Sequence, residues 1–221
     1  MKTIRRISEI GLWVCLFLPV SAAAGQLTLD EVIAEHCRAR AATATVKAKF
    51  TQTKVFTLFD ETKTSKGTLL FAQPARICWQ YESPDKSSTV INGKTGWSVF
   101  PDIKQVQKFL LDGSKTNKVL SIVGFGECST PMTESFEIEL DQGRKVGYVL
   151  LLKPTDPDIT PYFSRIDLTL DRSDYMPREI VLHEKAGDLL RFEFSGFKRN
   201  TRLDDSIFEW VVPAGYEVVG Y

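Results

Sequence analysis

Histidine is scarce: only His36 and His183 occur in 221 residues. Neither has a companion at metal-ligand spacing, and no HxxH or HExxH is present. A GxSxG elbow and a phosphate-cradling glycine loop are also missing. There is no excess of charge of one sign, since Lys+Arg and Asp+Glu both number 28. A nucleic-acid partner is therefore not expected, because phosphate neutralisation calls for a basic surplus. Beyond residue 24 no apolar run approaches the roughly 20 residues that span a bilayer. Carboxylate-only chemistry, such as glycoside hydrolysis, would need two carboxylates facing one cleft about 5–9.5 Å apart. The acidic pair Asp204-Asp205 stands beside Ser206 and reads better as a turn or helix cap. The expectation is a protein that is not an enzyme, with no metal and no cofactor.

What is present begins with a targeting segment. Lys2, Arg5 and Arg6 form a basic start, an apolar stretch runs from Ile10 to Val20, and Ser21-Ala22-Ala23-Ala24 supplies small residues. This order predicts a signal peptide over 1–24, cleaved after Ala24, with one domain over 25–221. Cys15 follows Val14, not a small residue, and the apolar run continues past it, so lipidation is not expected. The mature chain would keep 25 basic and 27 acidic side chains and three cysteines, Cys37, Cys78 and Cys128. An oxidising compartment permits one disulfide and one buried thiol, or three buried thiols; the spacings exclude only a local CxxC site.

Thr28-Leu29-Asp30-Glu31 has the form of a capping box, and Leu29, Val32, Ile33, His36 and Cys37 follow helical spacing. A helix is predicted over 29–42. The period then changes to two. Strands are predicted over 45–56, 65–72, 76–82, 87–91, 96–100, 105–109, 135–140, 148–153, 163–171, 177–184 and 189–197. Asn92-Gly93, Asp141-Gln142-Gly143 and Ala186-Gly187-Asp188 supply turn chemistry. His183 alternates out of phase with Ile180 and Leu182 and should face solvent. Residues 112–124 break the pattern and read as a short helix with Val119, Leu120, Ile122 and Val123 on one face. Regular short strands with frequent turns predict one barrel or half-barrel, with both helices buried against its concave side.

Apolar bulk lies on the strands. Phenylalanine occurs 14 times, and Leu69, Phe71, Ile77, Trp79, Trp97, Val99, Leu168 and Phe192 are strand residues. Most such residues fill a core; some could line a cavity for an apolar ligand.

Several stretches together resemble one family. Phe50-Thr51-Gln52 is followed by Gly67–Phe71, Ala72-Gln73-Pro74-Ala75-Arg76, and Ile77-Cys78-Trp79-Gln80-Tyr81. Asn92-Gly93-Lys94-Thr95-Gly96-Trp97 and Phe100-Pro101 continue the match. Phe194-Ser195-Gly196-Phe197, Leu203-Asp204, Phe208 and Pro213-Ala214-Gly215-Tyr216 close it. This order is similar to that of the periplasmic outer-membrane lipoprotein carrier family, LolA. The resemblance implies a mainly β (α+β) fold: an unclosed antiparallel β-barrel of about 11 strands under a helical lid. It implies a monomeric periplasmic carrier that shelters lipoprotein acyl chains between the two membranes. Cargo would come from an inner-membrane ATP-driven (ABC) exporter and pass to an outer-membrane acceptor. The implied cavity residues are Phe50, Leu69, Phe71, Ile77, Trp79, Trp97, Val99, Leu168 and Phe192. The implied lid and its contacts are Gln73, Arg76, Val119, Leu120, Ile122 and Val123. The family's best-studied branch has an arginine just before the proline and a phenylalanine three residues after it; here these are Gln73 and Ile77. Arg76 is the expected substitute for the arginine. The alternative is a module of the same fold for another lipid, or a stress-sensing domain. A sensor would be joined to a further domain, so an end at Tyr221, soon after the closing motif, is expected of a free carrier.

Overall fold

The computed structural model describes residues 27–111, 118, 120, 122–126, 128, 132–143, 147–209 and 211–220. The expected signal peptide, Val119 and the first part of the expected 112–124 helix lie outside them.

Helix α1 (Leu29–Ala41) starts at the capping box read from the sequence. Thr28 Oγ1 accepts from the Glu31 amide at 3.3 Å, and the Glu31 carboxylate accepts from the Thr28 amide at 2.8 Å. Its buried stripe is Val32, His36 and Arg40, one residue per turn. Two of the three are polar, so the helix docks on a face that must supply acceptors.

The strands are β1 (Thr45–Phe56), β2 (Glu61–Ala72), β3 (Arg76–Ser83), β4 (Ser87–Asn92), β5 (Thr95–Phe100) and β6 (Gln105–Leu110). Then come β7 (Phe136–Asp141), β8 (Tyr148–Pro154), β9 (Phe163–Leu170), β10 (Pro177–Glu184), β11 (Leu189–Arg199) and β12 (Glu217–Val219). They form one sheet in the order β12-β6-β5-β4-β3-β2-β1-β11-β10-β9-β8-β7. The pairs are antiparallel except β12, which runs parallel to β6. Among the described residues there are twelve strands against about eleven expected; the added β12 has three residues, too few to show a period of two. The β4–β5 loop is also one residue later than the Asn-Gly reading. Asn92 still pairs with Thr95, and the loop is Gly93-Lys94 with Gly93 at φ +57°.

The sheet does not close. Strands β12 and β7 are its two edges, yet β6 and β7 are consecutive in the chain. The strap of chain between β6 and β7 therefore links one edge of the open barrel to the other. Lys118, Leu120 and Ile122 in this strap are helical. Leu120 and Phe125 are buried in the same cluster as Val32 of α1 and Phe50, Leu69 and Phe71 of the sheet. Helix and strap thus roof one face, the concave one.

The other face is covered too. Leu70, Ala72, Cys78 and Val90 pack against Phe208, with Leu203 and Ile207 alongside. The acidic pair belongs to this C-terminal cover. Asp204 Oδ1 accepts from the Ser206 amide at 3.0 Å, and Asp205 pairs with Arg76. Among the described residues no helix is long and apolar enough to cross a membrane, and no acidic, histidine or cysteine group could hold a metal ion.

Candidate functional site

Register decides which strand residues share the concave face. Phe71 pairs with Ile77, Ile77 with Ile91, and Ile91 with Gly96. Phe50 pairs with Phe194, and Gln52 with Phe192. Directly opposed residues point to the same side of a sheet, so these all face inward with Leu69, Trp79, Tyr81 and Leu168. Their packing is aromatic. The Phe50 ring lies 5.0 Å from Trp79 and 5.0 Å from Tyr81, and Trp79 lies 5.0 Å from Phe192. Gly67 makes room for this: a Cβ there would stand 2.7 Å from Phe50 and 2.0 Å from the Gln80 carbonyl. At one end Tyr81 donates to Gln52 Oε1 at 2.6 Å, and burial pushes its phenol up to about 12.

The structure brings seven of the nine expected cavity residues into one cluster: Phe50, Leu69, Phe71, Ile77, Trp79, Leu168 and Phe192. The lid residues Leu120, Ile122 and Val123 pack on that cluster. Trp97 and Val99 do not join them. Trp97 pairs with Val90, whose side chain lies under the C-terminal cover, and Lys108 sits 4.9 Å over the Trp97 ring. Val99, two residues on, points the same way and pairs with Val106. Both faces of this part of the sheet carry apolar residues because both are covered, so alternation alone does not tell inner from outer. The inward residue here is Gly96, which Phe109 covers: a Cβ would stand 2.0 Å from its ring.

The lid contacts also need correction. Arg76 is on the outer side, where it pairs with Asp205 and stacks 5.1 Å over Phe208. It does not hold the strap. Gln73 turns toward α1, its Nε2 3.5 Å from the Ala41 carbonyl. The guanidinium that grips the strap comes from α1. Arg40, 4% exposed, donates through Nε to the Phe125 carbonyl at 2.9 Å and lies 4.3 Å over the Phe71 ring. Phe125 stacks on Phe71 at 5.2 Å. Neither Arg40 nor Phe125 was marked by the sequence reading. The available signal was the helical spacing of Val32, His36 and Arg40, an i, i+4, i+8 stripe.

A covalent tie runs beside this grip: Cys37 of α1 and Cys128 of the strap form a disulfide. Cys78 stays a buried thiol on the outer face, its pKa pushed up to about 12 by burial. His36 is buried as well. Its Nδ1 lies 2.8 Å from the Tyr175 carbonyl, and desolvation lowers its pKa. His183, expected to face solvent, is partly buried, its side chain 24% exposed beside Asp167 and Arg165.

Clefts open around this roof. One of about 430 Å³ lies between the strap residues Lys118 and Ile122 and the 157–163 loop. Another, of about 260 Å³, is lined by Cys37, Arg40, Gln73, Pro74, Gly126 and Cys128. A third, of about 520 Å³, lies among Ser65, Tyr81, Phe100 and Ile103 at the rim. The concave face itself is filled: Phe50 is 2% exposed, and Leu69, Phe71 and Ile77 are fully buried.

Residues 41–211 match the family model described as outer membrane lipoprotein carrier protein LolA. The outer-membrane lipoprotein carrier protein of Azotobacter vinelandii is 28% identical over 176 residues, covering 79% of this chain and 81% of the relative. That of Nitrosospira multiformis is 26% identical over 175 residues, covering 79% and 82%. A crystal structure of an uncharacterised conserved protein from Thermus thermophilus superposes with a TM-score of 0.57 at 13% identity, covering 87% of this chain and 98% of the other; it shows the fold alone. An open twelve-stranded sheet with a roofed apolar face, and a family match over most of its length, place this chain in the outer membrane lipoprotein carrier (LolA) family.

Proposed function

We propose that this chain is a periplasmic carrier that takes lipoprotein acyl chains onto the concave face of its half-barrel and ferries them from the inner to the outer membrane. Residues 1–24 would direct export and be removed, and 25–221 would act as one monomeric domain. The observation that carries the reading is the aromatic concave face around Phe50, Trp79 and Phe192, roofed by a strap that joins the two open edges.

The physics suits such a task. Each buried methylene is worth about 0.8 kcal/mol, so an acylated protein does not cross water unaided. Full sequestration of several chains would approach the limit of non-covalent affinity, roughly −20 kcal/mol, and block release. A face whose roof must be displaced keeps net affinity below that limit, because part of the gain offsets the lost strap contacts. No metal or cofactor enters the scheme. Cargo would arrive from an ATP-driven inner-membrane exporter and leave to an outer-membrane acceptor.

The test is native mass spectrometry of the chain purified from the periplasm of a lipoprotein-producing cell. The expected species is a complex with one acylated lipoprotein. Phospholipid or free fatty acid alone would move the reading to a carrier of another lipid. A chain free of any lipid after loading with a triacylated lipopeptide would overturn it.

A further inference from the structure

The strap is held differently at its two ends. Toward α1 it is fixed by the Cys37–Cys128 disulfide and by Arg40 on the Phe125 carbonyl. At the other end Lys118 Nζ reaches Asp156 at 2.9 Å and Asp158 at 2.7 Å across the 430 Å³ cleft. Of the two carboxylates, Asp156 is the one held in place by other groups. Asp156 Oδ1 accepts from the Asp158 amide at 2.8 Å, and the Asp156 amide donates to the Ser135 carbonyl at 3.3 Å. Lys118 and the half-exposed Asp158 are therefore the movable members.

Apart from Lys118 and Asp158 the cleft is lined by apolar side chains, among them Leu111, Ile122, Ile159 and Phe163. Its size falls within the roughly 300–1,000 Å³ of small-ligand sites. It is continuous with the concave core, since Ile122, Ile159 and Phe163 belong to or pack on the cluster of Phe50 and Phe71. A partly exposed ion pair opens readily and is screened by salt, whereas a disulfide opens only by thiol exchange.

We propose that this cleft is the entry site for the first acyl chain of the cargo, and that the Lys118–Asp156/Asp158 cluster is its latch. The inference rests on the carrier reading and adds a route to it. A chain end lying between Ile122 and Phe163 extends the core outward, parts the latch and lifts the strap about its disulfide-fixed end. Polar contacts of Arg40 in the cleft beside Gln73 make it a poorer entrance, and no described strap residue lines the cleft beside Phe100.

The experiment is stopped-flow association of a fluorescent, photoreactive diacylated lipopeptide with the full mature chain, followed by peptide mapping of the cross-links. Lys118→Met keeps the apolar stem and removes the charge. It should raise the association rate about 2- to 5-fold, the range an exposed ion pair supplies, and the Asp156→Asn/Asp158→Asn variant should do the same. High salt should erase the difference from wild type. Cross-links should fall on residues 118–122 and 157–163. Rates unchanged in both variants, with cross-links on 81–103, would overturn the entry site while leaving the carrier reading intact. No binding of the lipopeptide to the wild-type chain would overturn both.

Discussion

His36 and Arg40 lie one turn apart on the buried face of α1, and each places a polar group against a backbone carbonyl of another segment. Arg40 donates to the Phe125 carbonyl of the strap, a contact that the sequence reading had expected of Arg76 or Gln73. The charge sits on a helix, not on the β2–β3 turn, and it reaches the strap from beneath. Gln73→Arg would accordingly bring a second guanidinium into a cleft that Arg40 already lines. His36 has a consequence for pH dependence. Desolvation lowers its folded pKa below the ordinary value of 6.5. Between the two values the unfolded chain binds more protons, so its contribution to stability is complete above about pH 6.5 and declines as pH falls below it. The urea midpoint should therefore drop between pH 7.5 and pH 5.5. His36→Asn, which keeps a donor for the Tyr175 carbonyl, should flatten that part of the profile. An identical slope in the variant would show that other groups set it.

At the scale of elements, α1 and the strap act as one roof because they are joined covalently. The loop closed by Cys37 and Cys128 spans 91 residues. Cross-links of this kind typically contribute about 2–5 kcal/mol, mainly by restricting the unfolded chain. Cys37→Ser/Cys128→Ser should lower unfolding free energy by that amount in denaturant titration, with Cys78 remaining slow to react with thiol reagents until the chain unfolds. Beyond residue 24 the sequence has three cysteines and shows no pairing among them. The choice follows from faces: Cys78 lies under Phe208 on the outer side, while Cys37 and Cys128 meet above the inner side. The capping box of α1 and most strands were legible because their signals are local. The three-residue β12 was not, since it exists only by pairing with β6.

For the whole molecule, the topology makes the strap both a connection and a roof. Its contacts are an apolar cluster, one disulfide and a few polar pairs, whereas β1 is held by ladders to β2 and β11. Cargo binding should therefore change amide exchange unevenly. Protection at residues 118–126 should change on adding a triacylated lipopeptide, while protection along β1 and β11 stays near that of the free chain. Equal protection of the strap in both states would mark it as fixed core and remove the opening step.

Local sequence signals were enough to reach the class of the protein. A period of two over most of the chain, turn residues between the strands, one capped helix and the ordered family motifs led to an open, mainly β half-barrel of a lipoprotein-carrier family. These are signals of neighbours along the chain, and they survive without knowledge of the partner strand. Which face each strand turns inward depended on the strand pairing and on what covers each side. Because the C-terminal segment covers the outer side, Trp97 and Val99 alternate like cavity residues and yet face away from Phe50. The tertiary structure also decided what holds the roof. Arg40 and Phe125 are 85 residues apart in the chain, and Cys37 and Cys128 are 91 apart. They meet because the strap between β6 and β7 links the two edges of the open sheet.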